Sequence, residues 1–212
     1  MKILLTGASG LLGTAFAEAA KRRQHTVVGL IGSYSGTLPG LSECHTINLK
    51  DNAATERLIL EQFPDAIVNC AAISSPAVVD QHPQESNRIN VELPEQLARL
   101  ANHLSATLIH ISSEQVFDGD QPRYRVDSKT NPPNTYGRQK AESEKRVHEA
   151  ASTFATTLRI PLLNGNSPRG NRSIHEQLLT SWSQKIPHSS IHRRIPTTLP
   201  RRQSRKRHGR TL

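Results

Sequence analysis

The chain has 212 residues, room for one α/β domain and the start of a second, and its 27 Lys+Arg against 18 Asp+Glu give a formal charge of +9. That excess sits in one place: residues 1–183 carry equal numbers of basic and acidic side chains, while residues 184–212 carry nine basic and no acidic ones. The body is therefore neutral and carries no nucleic-acid signature of its own, and the tail needs a separate reading.

In chain order, "KILL" at 2–5 is a short apolar strand that runs into "TGASGLLG". It breaks at glycine too early for a secretory signal, and no later apolar run is long enough to cross a bilayer. A helix is predicted from the glycine stretch to about Lys21, with Leu12, Phe16 and Ala19 along one face. Strands follow at 25–31 and near 45–49, separated by a glycine- and serine-rich loop at 32–42. A helix over 51–63 is opened by Asp51 or Asn52. "DAIVNCAA" at 65–72 is a buried strand, and 85–104 is one long helix, kinked or opened near Pro94. A strand at 106–113, a helix at 136–152, a strand near 156–160 and a helix near 174–184 complete the series.

Strands alternate with helices and are apolar runs rather than in/out alternations. That predicts a parallel sheet covered by helices on both faces, a doubly wound α/β fold of Rossmann type. The expected division is a dinucleotide-binding domain over 1–165, the start of a substrate region over 166–183, and a basic tail over 184–212. Cys44 and Cys70 have neither pairing nor metal spacing. They read as reduced thiols of a cytoplasmic protein, Cys70 packed in the core. The ten histidines are scattered, so no metal site is proposed.

Two stretches carry chemistry. Gly7, Gly10 and Gly13 follow the first strand and open the first helix, where the phosphate-binding motif requires them. Gly7 permits the turn, Gly10 lets a pyrophosphate approach the backbone, and Gly13 lets the helix pack on the sheet. The amides and dipole at the helix start favour phosphate charge. The competing reading is a purely structural turn. The second strand ends "GLIGSYS", with no acid to hold an adenosine ribose and no arginine for a 2′-phosphate, which tilts the choice slightly toward NADP. Further on, Ser112 and Ser113 end a predicted strand, where open parallel sheets bind ligands. Tyr136 and Lys140, four apart, share one helix face. Taken alone, Tyr-x-x-x-Lys is most often just a surface helix.

Taken in order, Thr6-Gly-x-x-Gly-x-x-Gly13, "NCAA" at 69–72, the strand-end serine and Tyr136-x-x-x-Lys140 resemble the extended short-chain dehydrogenase/reductase family. Within it, "HISSEQVFDG" and "NPPNTYGRQKAESE" resemble the dTDP-4-dehydrorhamnose reductases, over roughly residues 1–180. The resemblance implies NADP(H)- or NAD(H)-dependent reduction of a 4-keto-6-deoxy sugar nucleotide, a step of dTDP-rhamnose biosynthesis. It implies cofactor contacts at Gly7, Gly10, Leu11, Leu12, Gly13, Ala71 and Ala72, with Tyr136 and Lys140. Ser113 would hold the substrate carbonyl, Tyr136 would donate the proton, and Lys140 would bind the nicotinamide ribose and lower the phenol's pKa. A free phenol sits near about 10, and lowering it by about three units needs roughly 4 kcal/mol of differential stabilisation.

Departures from the pattern are Glu114-Gln115 for Asp-Tyr, Asn48 for an acid, and Val126 for an acid. They bear on which sugar is bound. Alternatives on the same fold are an epimerase or dehydratase using Glu114, and a non-catalytic dinucleotide-binding regulatory subunit. The expected partner is the sugar nucleotide, with a homodimer as one assembly option and no membrane or nucleic-acid partner. Arg159 is a candidate for cofactor or substrate contact or simply a solvated arginine, Ile160 and Pro161 for a nicotinamide wall, and Trp182 for packing.

Likeness fades near Ser183, so the C-terminal substrate domain is expected to be largely missing. That would leave one side of the sheet uncapped and turnover impaired. The acid-free tail is expected to be disordered. It reads as an anion-binding tail, as a merely solvated one, or as the product of a reading-frame slip. In the last case, codons from Ser189 onward, shifted by one base, can encode a family-like "DEFR-x-P" stretch.

Overall fold

The computed structural model describes residues 1–121 and 123–184. The basic tail expected from 184 onward lies, apart from Gln184, outside the described residues.

Six strands form one all-parallel sheet in the order β3-β2-β1-β4-β5-β6. They are β1 (Lys2–Thr6), β2 (Thr26–Ile31), β3 (Glu43–Thr46), β4 (Ala66–Asn69), β5 (Thr107–Ser113) and β6 (Ala155–Ile160). The order reverses between β1 and β4. In an open sheet, that switch point leaves a crevice beyond the strand ends. The predicted doubly wound Rossmann-type fold is the one observed.

The central strands β1, β2 and β4 bury both faces, hence their continuous apolar runs, while β3 and β6 at the edges are partly exposed. Leu4, Leu30, Ile67 and Leu108 point to one side and pack with Ile59, Leu93, Leu97, Leu100 and Val147 from α2 (Asn52–Gln62), α5 (Leu93–Leu104) and α6 (Thr135–Ala151). Ile3, Leu5, Val27, Ile31 and Val68 point to the other and meet Ala17 and Ala20 of α1 (Leu11–Arg22). The buried stripe of α1 is Gly13, Ala17 and Ala20; Leu12, Phe16 and Ala19, expected along one face, are half-buried. Small residues let this helix lie close to the sheet: a Cβ on Gly13 would come within 2.3 Å of the Gly7 carbonyl oxygen. Over β6 this face is less covered, with Leu158 44% exposed.

Local signals explain the boundaries. Asp51 caps α2, its carboxylate accepting from the Ala54 amide at 3.0 Å. Phe63 closes the helix in the left-handed region (φ 45°), just before Pro64. β3 lies two residues earlier than predicted, in register with Val28–Ile31 of β2. The single helix predicted over 85–104 is instead α4 (Pro83–Asn87), a π-turn (Arg88–Glu92) and α5. Pro94 lies in the first turn of α5, where its missing N–H costs little, and the Leu93 amide bonds back to Arg88 across the π-turn. The short α3 (Pro76–Gln81) carries too little periodicity to be seen in sequence. A 3₁₀ turn (Glu114–Val116) follows β5, and α7 (Ile174–Ser183) opens on a Ser173/Glu176 capping box.

Candidate active site at the strand ends

β1 leads into Gly7 at φ 66°, a conformation that favours glycine. The neighbouring strand end crowds it, since a Cβ there would lie 2.8 Å from the Ala71 nitrogen. Gly10 caps α1 without a side chain, so nothing on it competes for the amides of Leu11, Leu12 and Gly13. A Cβ on Gly10 would meet only the Gly7 oxygen, at 3.1 Å. The loop is thus an open ring of amide donors at a helix start, chemistry that fits a pyrophosphate. Ala71 and Ala72 leave β4 beside it, with the Ala71 amide donating to Thr6 Oγ1 at 3.2 Å. Asn90, placed by the π-turn, pins the next residue: its amide group accepts from Ile73 N and donates to Ile73 O at 2.9 and 3.0 Å.

Beyond β5, Ser113 caps the 3₁₀ turn, accepting from the Gln115 amide and donating to Glu114 Oε2, both at 3.2 Å. Asn134 caps α6 by accepting from Gly137 N at 2.7 Å, and its own amide donates to Gln115 Oε1 at 2.9 Å. Gly137 lets the two turns touch, because a Cβ there would sit 2.1 Å from the Gln115 carbonyl oxygen. In "NTYG", then, one residue caps, one permits contact, and Tyr136 is carried beside Ser113. Both are 7% exposed.

Lys140 parts from this pair. Its side chain is buried (1% exposed) and its Nζ lies 3.2 Å from His110 Nε2. The expected lowering of the phenol by Lys140 is not what this geometry gives. Burial, with the Glu114 carboxylate beside it, pushes Tyr136 up to about 12, only partly offset by Ser113. Burial pulls Lys140 down to about 7 against the opposing pull of Glu144 and Cys70. Burial likewise pushes the Cys70 thiol up to about 12, with Lys140 opposing.

Several residues escaped the sequence reading. No arginine follows β2 in the sequence, yet the loop after β6 brings one there. Arg169 Nη2 donates to Ser33 Oγ at 3.1 Å, and its guanidinium lies 5.6 Å over the Tyr34 ring. His110 meets the buried end of Lys140 and is joined through Asn69 to Thr6; His110 in an apolar strand was the available signal. Arg159 is not free for a ligand: it makes a two-pronged ion pair with Glu144 (2.7–3.1 Å) and sits 4.9 Å over Phe117. Ile160 is half-buried and Pro161 exposed. Trp182, expected to pack, is 70% exposed on α7.

A Rossmann-type α/β fold with a glycine loop at its switch point and a Ser-Tyr pair one strand away defines the class of protein. The chain belongs to the RmlD substrate binding domain family, whose model matches residues 1–187. It is 36% identical over 189 residues to "Methionine adenosyltransferase 2 subunit beta" of Bos taurus, covering 89% of this chain and 54% of the relative. It is 34% identical over 149 residues to a dTDP-4-dehydrorhamnose reductase of Mycolicibacterium smegmatis, covering 69% of this chain and 41% of the relative. A solved structure of a hypothetical dTDP-4-dehydrorhamnose reductase from Sulfolobus tokodaii superposes with a TM-score of 0.69 at 27% identity, over 79% of this chain and 58% of that one. The chain spans about half the length of the curated relatives it matches.

Proposed function

We propose that this chain binds a nicotinamide dinucleotide across the glycine loop and reduces the keto group of a 4-keto-6-deoxy sugar nucleotide. The observation that carries the reading is the buried Tyr136 phenol brought beside Ser113 at the end of β5 by the Asn134 cap and the Gly137 contact. The amides of Leu11, Leu12 and Gly13 would hold the pyrophosphate, with Ala71 and Ala72 beside the adenosine. Arg169, which reaches Ser33 and Tyr34 in the loop after β2, supports a 2′-phosphate contact and hence NADP(H) over NAD(H). When bound, the reduced dinucleotide supplies a hydride to the carbonyl carbon. Ser113 donates a hydrogen bond to the carbonyl oxygen, and Tyr136 gives that oxygen its proton as negative charge develops there. The products are an alcohol and the oxidised dinucleotide.

The relatives named as a subunit of methionine adenosyltransferase favour a second reading, a dinucleotide-binding subunit without turnover. Tyr136→Phe separates the two. With NADPH and a dTDP-4-keto-6-deoxy sugar, a reductase oxidises NADPH, and the variant loses at least about 100-fold in kcat while its NADPH affinity stays within about twofold. A parent chain that binds NADPH but never oxidises it favours the subunit reading. A chain that binds no NADPH removes both.

A further inference from the structure

A chain of buried polar groups runs beneath the site, from the glycine loop to α6. Thr6 is fully buried. Its hydroxyl accepts from the Ala71 amide at 3.2 Å and lies 2.6 Å from Asn69 Oδ1, the only acceptor in reach of its proton among the described residues. That fixes the Asn69 amide: Oδ1 faces Thr6, and Nδ2 faces His110 Nδ1 at 3.1 Å. Nδ2 can only donate, so Nδ1 accepts and the His110 proton is on Nε2. Ser143 agrees with this wiring. Its hydroxyl donates to the Lys140 carbonyl at 2.8 Å, which leaves its oxygen to accept from His110 Nε2–H at 3.0 Å. The second neighbour of that Nε2–H is Lys140 Nζ, at 3.2 Å.

We infer that His110 is a positioning residue for Lys140: locked as its Nε2–H tautomer, it meets the lysine nitrogen with a donor, so that nitrogen accepts as a free amine. An ammonium would face this N–H with another N–H. The surroundings point the same way. Burial, then Lys140, keeps His110 well below its ordinary value and hence neutral. Cys70, at the end of β4, stays a thiol at neutral pH and offers no negative charge. Glu144, one turn along α6, is already paired with Arg159 of β6. Tyr136 keeps its proton, and Glu114 from the 3₁₀ turn acts on that phenol. If Lys140 is to hold the ribose of a bound dinucleotide, it must leave His110 and regain its charge, so binding takes up a proton. This last step alone rests on the dinucleotide reading above.

The test begins on the free protein. In nitrogen-15-labelled protein, His110 should show the Nε2–H tautomer through the neutral pH range. The Lys140 side chain, identified by its loss in Lys140→Met, should titrate near about 7 rather than about 10.4. A His110 proton on Nδ1, or a Lys140 midpoint above about 9, overturns the inference whether or not nucleotide binds. Calorimetry of NADP⁺ binding at about pH 8, in buffers of different ionisation enthalpy, then tests the coupling. Uptake close to one proton per nucleotide is expected. Binding with no uptake overturns the coupling, and no binding heat overturns the dinucleotide reading while the free-protein result still decides the role of His110. Asn69→Asp is the discriminating variant: it offers Nδ1 an acceptor, turns Nε2 into an acceptor for the ammonium, and should abolish most of the uptake. Because a carboxylate also attracts charge to Lys140, Asn69→Leu, which removes the Nδ2 donor without adding charge, is the companion variant: uptake unchanged in it marks His110 as merely structural.

Discussion

Gly137→Ala tests whether the contact between the start of α6 and the turn after β5 holds the site together. The added Cβ would lie 2.1 Å from the Gln115 carbonyl oxygen, where ordinary contact begins near 3.4 Å. The first turn of α6 must therefore retreat by more than 1 Å from a backbone atom, which cannot swing aside as a side chain can. Overpacking of this kind costs about 1–3 kcal/mol, and the upper end applies against backbone. Shifting the helix start also strains the Asn134 cap on Gly137 N, a contact worth about 1 kcal/mol. Alanine recovers up to about 1 kcal/mol of helix propensity over glycine. The net loss is about 2–3 kcal/mol, a fall in Tm of roughly 4–12 °C for a domain of this size. Circular-dichroism melts of parent and variant measure it, with Gly32→Ala as the control, where an added Cβ meets nothing within 4 Å. An alanine variant that melts at or above the parent temperature would refute the claim that this contact is tight.

Two further outcomes follow from the ionisation geometry. Tyr136 is raised to about 12 by burial first and by Glu114 second. Its unfolded value is about 10, so its contribution to stability is full below pH about 10 and is lost as the pH rises through about 12. Tyrosinate absorbance should show a phenol titrating near about 12 that Tyr136→Phe removes; a phenol lost in that variant but titrating at or below about 10 would contradict the burial argument. Glu176 is the reverse case. Its carboxylate is desolvated but accepts from the amides of Ser167, Arg172 and Ser173, which together hold it down near about 2. The depressed value means that it stabilises the start of α7 above its unfolded pKa of about 4.3 and loses this as the pH falls toward about 2. Amide exchange in α7 should therefore accelerate over that window in the parent. Glu176→Gln should exchange fast at neutral pH and lose the acid dependence.

Where one local rule decides an element, the sequence is legible. The glycine loop shows because the turn at Gly7 and the close approach at Gly13 each demand a missing Cβ. The parallel sheet shows because its central strands bury both faces. Tyr136 and Ser113 show through the positions they take at a strand end and a helix start. The rest depends on distant parts of the chain. Arg169 reaches Ser33 across 136 residues. The π-turn at Arg88–Glu92 keeps the helical period almost intact, so 85–104 reads as one helix. Lys140 sits at the expected spacing from Tyr136, but spacing fixes only the helix face. Which way a flexible four-carbon stem turns depends on what lies at its end, here His110 of β5.

The divergence of Tyr136 and Lys140 bears on the direction of the chemistry. Near pH 8 the phenol, raised to about 12, holds its proton, while the amine, lowered to about 7, has lost most of its own. A protonated phenol can give a proton to a growing alkoxide but cannot accept one from an alcohol. In the free protein Tyr136 is therefore a proton donor, the form that reduction uses under the reductase reading, whereas the reverse oxidation needs phenolate. Recharging Lys140 would move the balance toward phenolate, because a cation beside a phenol favours its ionised form. The buried wiring from Thr6 to His110 lies between the glycine loop and that lysine. Under the two proposals above, nucleotide binding that recharges the lysine would move the phenol toward ionisation, and contiguous hydrogen bonds join the two places.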